Sequence, residues 1–298
     1  MSTTAVIPGT ESPRLPLLRL ALRQYRLVAA LVLLLALRVA APIVYHYGGW
    51  ADAVALRERV GSKAYHFESF VSDAHTMTAR LLSDGSSLAF QPALLAAVVA
   101  GVLTAREWET RRVVLALTQS VTPTRWFGVR WATVAAVFVV LTLPLVMLYH
   151  RSAEYGIRHD LLVHGSDWST AAFTIGPATV AYTVLGVAAG AYVGTLTRRT
   201  WAALIAAPAL TWLAAAVLVR SRLVLLVDFP VFSKVHGLHP GGILGLQFYD
   251  ALPQDSYLLN SLESGDYWGY QLASGALALA VAALLAWAAL RTLRRRVA

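Results

Sequence analysis

The chain reads as an all-α, polytopic membrane protein with six transmembrane helices, and three observations carry that reading. First, six apolar runs of roughly 20 residues, each long enough for a hydrocarbon core about 30 Å thick, fall at about 27–47, 88–105, 131–149, 170–197, 200–219 and 268–290. Second, with 57% hydrophobic and 14% charged residues and a mean hydropathy of +0.59, the 298 residues carry too little polar surface for a water-soluble globule. Third, the charges are sorted. With the N-terminus in the cytoplasm, 15 of the 25 basic residues fall in cytoplasmic segments, against only three acids, Glu11, Glu107 and Glu109. The outer segments hold nine basic residues, the other 13 acids and all eight histidines, and Arg38 is the one Arg or Lys inside a span. Short loops rich in Arg and Lys stay cytoplasmic, which places both termini and the second and fourth loops inside.

Residues 1–26 form a cytoplasmic N-terminal segment. Pro13 and Pro16 precede a short helical stretch in which Arg19, Arg23 and Arg26 recur at helical spacing opposite Leu18, Leu22 and Tyr25. Such a basic amphipathic helix can lie in the inner interface; it can equally be a solvated extension of the first span. Residues 27–298 are expected to form one six-span domain. The first span begins with 11 apolar residues, 27–37, followed by Val39, Ala40 and Ala41, which mimics a cleaved signal peptide. The 26-residue leader, the position of Arg38 and Pro42 just after the would-be cut favour a retained helix. Arg38 can then snorkel or face the bundle interior.

The first outer loop, residues 46–87, mixes Arg57, Glu58, Arg59, Lys63, Glu68 and Asp73 with Val60, Phe67, Phe70 and Met77, a composition that suits a solvated amphipathic helix. The second span leads into the cytoplasmic second loop and the third span. In the fourth span, Gly186, Gly190 and Gly194 recur every four residues, a small-residue stripe where another backbone can approach, within the subunit or across a dimer. The fifth span ends near Arg220 and Arg222, which break the charge rule slightly, and the outer loop after it carries Pro230, Pro240, Gly241, Gly242 and Pro253. Trp268 and Tyr270 stand where interfacial aromatics anchor the sixth span.

Several chemistries are disfavoured. The net charge of +9 is scattered over helix ends and makes no continuous basic face for nucleic acid. With no cysteine there is neither a disulfide nor a thiolate site. No GxxxxGK[ST], HExxH or GxSxG occurs, so neither a phosphate-cradling loop nor a familiar hydrolytic motif is present. The nearest approach to metal-ligand spacing is His159-Asp160 with His164 and Asp167, and His236 with His239 is a looser pair. A metal needs three convergent ligands, and solvated loop histidines are the simpler reading of both. No cofactor is expected.

The most distinctive stretch is the second loop, residues 104–126, TAREWETRRVVLALTQSVTPTRW. It is charged at its start, apolar at Val113, Val114, Leu115 and Leu117, then polar, with Pro123 as a breaker. The pattern suits a short helix across the inner interface, with Glu107 and Glu109 among arginines as a polar knob facing the cytosol. An ordinary charged connector would read the same way on composition alone.

This loop resembles the first cytoplasmic loop of ABC-2-type transporter permeases, particularly those common in actinobacteria, which run A-R-E-x-E-x-G-T…T-Q-S-V-x-R-x-R-W. Ala105, Arg106, Glu107, Glu109, Thr118, Gln119, Ser120, Val121, Thr124, Arg125 and Trp126 match it. Leu185, Gly186, Gly190, Arg198, Arg199, Ala202 and Ala203 look like the family's passage from fourth to fifth span, and Asp266, Tyr267, Trp268, Gln271, Gly275 and the terminal Arg294-Arg295-Arg296 like its last span and tail. Thr110-Arg111 replaces the usual Gly-Thr, and Pro123 an arginine or small polar residue. The resemblance implies the transmembrane subunit of an ABC exporter in a bacterial plasma membrane, not an enzyme. It also implies a second permease, identical or different, and a separate nucleotide-binding ATPase. Arg106, Glu107, Trp108, Glu109, Thr110, Arg111, Arg112 and Gln119 would then form the ATPase-coupling loop. An amphiphilic cargo, such as a drug, natural product or lipid, fits the apolar, aromatic-rich spans. The alternative is a membrane-embedded enzyme or sensor using the His- and Asp-containing outer loops.

Overall fold

A computed structural model of the chain describes residues 14–60, 67–110, 122–159, 176–228 and 266–297. These form six α-helices: α1 Arg14–Val60, α2 Phe67–Glu109, α3 Pro123–Arg158, α4 Ala178–Thr197, α5 Thr200–Asp228 and α6 Asp266–Val297. Among the described residues there is no strand. All six are long and apolar enough to cross a membrane, over Val32–Asp52, Ala79–Glu109, Thr124–Gly156, Ala178–Thr197, Thr200–Leu218 and Gln271–Arg295. The physical cause is simple: in hydrocarbon every backbone N–H and C=O must be met within the segment, and a helix does that.

The helices are longer than the apolar runs. The outer loop expected over residues 46–87 is mostly the continuation of α1 to Val60 and the start of α2 at Phe67, with residues 61–66 outside the described part. The charges from Asp52 to Arg59 end the apolar run but do not break a helix, and the first glycine after them is Gly61. The N-terminal stretch behaves likewise, since α1 runs unbroken from Arg14 and residues 17–26 extend the first span. Likewise α3 reaches Arg158 and α5 reaches Asp228, past the expected ends at 149 and 219. Thr170 to Ile175, the expected start of the fourth span, lie outside the described residues, and α4 begins at Ala178. Pro42, Pro92, Pro144 and Pro208 lie inside α1, α2, α3 and α5, each removing one backbone donor without ending its helix.

α4 is the centre of the bundle. It packs most extensively on α2, then on α6, with α5 and α3 also against it, while α1 lies against α3 and α2. Most of α4 is buried, whereas α1, α3, α5 and α6 expose large apolar side chains such as Leu34, Val140, Ile205 and Leu284 on the outside of the bundle. The α2–α4 seam is built from small residues. A Cβ added at Gly186 would lie 2.0 Å from the Ala93 carbonyl oxygen, at Gly190 2.2 Å from that of Ala97, and at Gly194 2.6 Å from that of Gly101. The α4 stripe therefore meets a matching one on α2, Ala93, Ala97, Gly101 and Ala105, within one chain.

A buried polar contact fixes the N-terminal end of α4. Gln271 of α6 is fully buried, and its Oε1 accepts a hydrogen bond from the Ala178 N–H at 3.2 Å, meeting one of the donors a helix N-terminus leaves unpaired. Nearby in the fold, Tyr149 of α3 donates its hydroxyl to the Leu81 carbonyl of α2 at 2.9 Å, inside a cluster with Ile43, Trp50, Leu88 and Leu145.

Candidate functional site

The second loop leaves α2 and enters α3 at the end of the bundle where the α4–α5 corner and the end of α6 also lie. Here α2 continues helically to Glu109, with Thr110 closing a turn: its N–H and hydroxyl both donate to the Arg106 carbonyl, at 3.0 and 2.8 Å. Residues 111–121, including Arg111, Arg112 and Gln119, lie outside the described part, as does most of the expected interfacial helix. Pro123 is the first residue of α3 rather than a breaker, a position where its missing N–H leaves no bond unmade.

The charged residues of this end do three different things. Arg106 is exposed. Glu107, expected on a solvated knob, is buried instead, and its Oε1 pairs with the guanidinium of Arg130 on α3. Continuing the inward stripe of α2 by helical steps, Ala93, Ala96, Ala100, Thr104, leads to position 107, so the bundle and not the cytosol surrounds that carboxylate. Glu109, two residues on, points away and is exposed. Its carboxylate accepts from the backbone N–H of Thr200 at 2.7 Å and from the Thr200 hydroxyl at 2.5 Å. A carboxylate placed there caps the first turn of α5 and complements its dipole.

Aromatic rings fill the space between these charges. Trp108 stacks on Phe127, with centroids 6.2 Å apart and planes 21° from parallel, and Phe127 meets Trp131 at 5.6 Å. Phe127 and Leu293 of α6 are buried together, with Trp108, Trp126 and Trp131 around them. Arg130 lies over the Trp126 ring at 4.3 Å and Arg198 over Trp108 at 4.5 Å, both within cation–π range. Trp131 donates its indole N–H to the Thr104 hydroxyl at 3.2 Å. Arg198 caps α4 in the left-handed region (φ 54°, ψ 10°), and its N–H donates to the Gly194 carbonyl. Only Arg198 and Arg199 separate α4 from α5. Among the described residues, Glu107 Oε2 and the indole N–H groups of Trp108 and Trp126 are buried without a hydrogen-bond partner.

The arrangement is a fastening of helix ends. It ties the end of α2 to the start of α3, the α4–α5 corner and the end of α6, and it leaves Arg106 and Thr110 on the surface beside the loop. The sequence reading named Glu107 and Glu109 without their partners. Arg130, Arg198 and Thr200 are distant in sequence and carry no pattern announcing the contacts. The α2 stripe facing the glycines was detectable by its four-residue spacing.

At the other end, His46 Nδ1 lies 2.9 Å from Asp84 Oδ2, and the rings of Tyr47, Tyr155 and His159 form a short ladder. Among the described residues no group of three potential ligands converges for a metal. Asp160, His164, Asp167, His236 and His239 lie outside the described part.

Comparison with known proteins gives one match: the family described as ABC-2 membrane transporter related, over residues 25–223. No curated protein and no solved structure matches the chain.

Proposed function

The chain belongs to the ABC-2 membrane transporter related family, and on that premise we propose that it is the membrane-spanning subunit of an ABC exporter in a bacterial plasma membrane, driven by a separate nucleotide-binding subunit. Two permeases enclose the pathway and two ATPase subunits dock on the end that carries the second loop. ATP closes the ATPase pair, the second loop receives that rigid-body motion, and the spans alternate access between the two faces. The cargo is amphiphilic, in keeping with spans that are apolar and rich in aromatic rings.

The observation that carries the reading is the exposed end of α2, with Arg106 and Thr110 held on a platform of ion-paired and stacked side chains. A docking surface has to be rigid to transmit displacement, and here the α2 end is fastened to four other helices. The original docking set narrows accordingly. Arg106, Thr110 and the outer edge of Glu109 are available to a partner, with Arg111, Arg112 and Gln119 following in the loop, while Glu107 and Trp108 support them from beneath.

The test is Arg106→Glu, co-expressed with the cognate nucleotide-binding subunit. Truncating one partner of a desolvated charge pair costs about 2–5 kcal/mol of association, and reversing it adds repulsion. The variant is expected to match wild type in yield and thermal midpoint but to lose co-purification and cargo-stimulated ATP hydrolysis in vesicles. Arg151→Glu, on an exposed position at the opposite end of α3, serves as the control. Normal coupling in Arg106→Glu, with coupling lost in Arg151→Glu, would reject this face as the ATPase contact.

A further inference from the structure

The six apolar spans contain no Asp or Glu, and Arg38 is their single Arg or Lys. Its depth can be read from its neighbours on α1. Val32 packs at the level of Val134 and Phe138, and Ile43 at the level of Leu145 and Tyr149, so Arg38 lies between these levels, near the middle of the apolar run 131–149 of α3. It does not turn into the bundle. Arg38 is exposed, on the same outward face of α1 as Leu34, Leu37, Ala41 and Tyr45, and among the described residues it makes no ion pair.

A guanidinium facing hydrocarbon at that depth is costly, and such residues line water-filled cavities or meet a counter-charge. Half of a hydrocarbon core is about 15 Å, longer than an arginine side chain, so from the middle of the bilayer the guanidinium reaches the interface only where the bilayer thins locally or water enters. The backbone adds a second polar group at the same place. Pro42, inside the unbroken α1, has no N–H to give the carbonyl four residues earlier, which is the carbonyl of Arg38. One turn of α1 thus combines a multi-donor cation with a backbone carbonyl that Pro42 deprives of its usual helical donor, beside the exposed apolar side chains of Leu34 and Leu37. The six apolar runs carry no carboxylate, so a second copy of the chain offers Arg38 no counter-charge from within them.

We infer that Arg38 is an anion-recognising residue on a water-accessible face of α1, taking the negatively charged head group of an amphiphilic cargo while Leu34, Leu37 and Tyr45 contact its apolar body. This rests on the permease reading, which supplies an aqueous path for that face to line, and it narrows the cargo to amphiphiles with a phosphate, sulfate or carboxylate head. A resident bilayer lipid keeps its head at the interface and does not reach this depth, so the occupant is a molecule in transit.

The experiment uses the full-length chain in nanodiscs of zwitterionic lipid, without ATP or the nucleotide-binding subunit, and two probes of equal chain length, dodecyl phosphate and dodecyltrimethylammonium. The guanidinium hydrogen-bonds a phosphate and repels an ammonium, so wild type is expected to bind the phosphate at least about tenfold more tightly. Arg38→Gln should abolish that preference, with Arg38→Lys retaining part of it. Equal binding of both probes by wild type, or an unchanged preference in Arg38→Gln, overturns the inference.

A second measurement does not depend on those variants folding. The chain has no cysteine, so Ala41→Cys reports on this face and Val140→Cys on an exposed apolar position of α3 at similar depth. A small water-soluble thiol reagent should modify Cys at 41, dodecyl phosphate should slow that modification, and Cys at 140 should stay unreactive. Failure of Cys at 41 to react, or reaction unaffected by dodecyl phosphate, counts against the inference. Neither measurement involves ATP coupling, so their failure leaves the permease reading standing, and failure of the Arg106 test leaves this site standing.

Discussion

Glu107 shows how two neighbouring acids of one motif part ways. Glu107 and Glu109 are two residues apart on a helix, roughly 200° around its axis at 3.6 residues per turn, so they cannot share a face. The inward one pairs with Arg130, and the outward one binds Thr200. Removing one partner of a buried pair leaves an uncompensated charge and costs about 3–5 kcal/mol, more than the pair itself contributes. Glu107→Ala and Arg130→Ala are each expected to lower the thermal midpoint in detergent by several degrees, and the double variant by less than the sum. Additive losses would mean that the two side chains do not interact. The same variant is a poor probe of partner binding, because it would loosen the platform beneath Arg106. Glu107's burial was legible in principle: the stripe Ala93, Ala96, Ala100, Thr104 continues to 107. Ending the second span at Ala105 hid it, because hydropathy falls at the first charged residue whether or not the helix does.

At the scale of elements, that lesson applies to every helix boundary. Hydropathy reports where a helix leaves hydrocarbon, while helix ends are set by glycine, proline and capping. The six spans were therefore readable, as was an N-terminal extension of α1 as one of two alternatives, and the extensions of α2, α3 and α5 and the run of α1 to Val60 were not. The glycine stripe of α4 was visible as a packing face, but its partner was ambiguous until α2 supplied the complementary small residues. Gly190→Ala puts a methyl carbon 2.2 Å from the Ala97 carbonyl oxygen, where backbone must move, whereas a Cβ at Gly275 meets Ala181 at an ordinary 3.7 Å. Overpacking of this kind costs about 1–3 kcal/mol. Gly190→Ala is expected to reduce the monodisperse yield and thermal midpoint, with Gly275→Ala close to wild type. Equal behaviour of the two would refute the close approach of α2 and α4.

For the whole molecule, the six-span architecture followed from apolar run length, and the sorting of charge supplies an expectation of sidedness. Ser72, Ser166 and Ser261 are expected outside and Thr110 and Ala298 inside. Single cysteines introduced at these positions have no background in a cysteine-free chain. An impermeant maleimide applied to intact cells should label the three former serines and neither of the other two. Labelling at 110, or none at 72, 166 and 261, would overturn the arrangement. The platform at the second-loop end could not be read the same way. It joins residues from α2, α3, the α4–α5 corner and α6, and no local pattern encodes which aromatic ring meets which arginine. The proposed docking face was thus legible as a motif and invisible as a structure.

The shortness of the α4–α5 connection bears on how the two helices can move. Two residues reach about 7 Å at full extension, a fraction of the bilayer's width, so the adjoining ends of the fourth and fifth spans cannot part by more than that. They behave as one hairpin. α4, whose surface is almost wholly committed to protein contacts, is tethered to a companion that exposes Trp201, Ile205 and Trp212. Any displacement of the buried helix along its axis is thereby passed to an exposed neighbour.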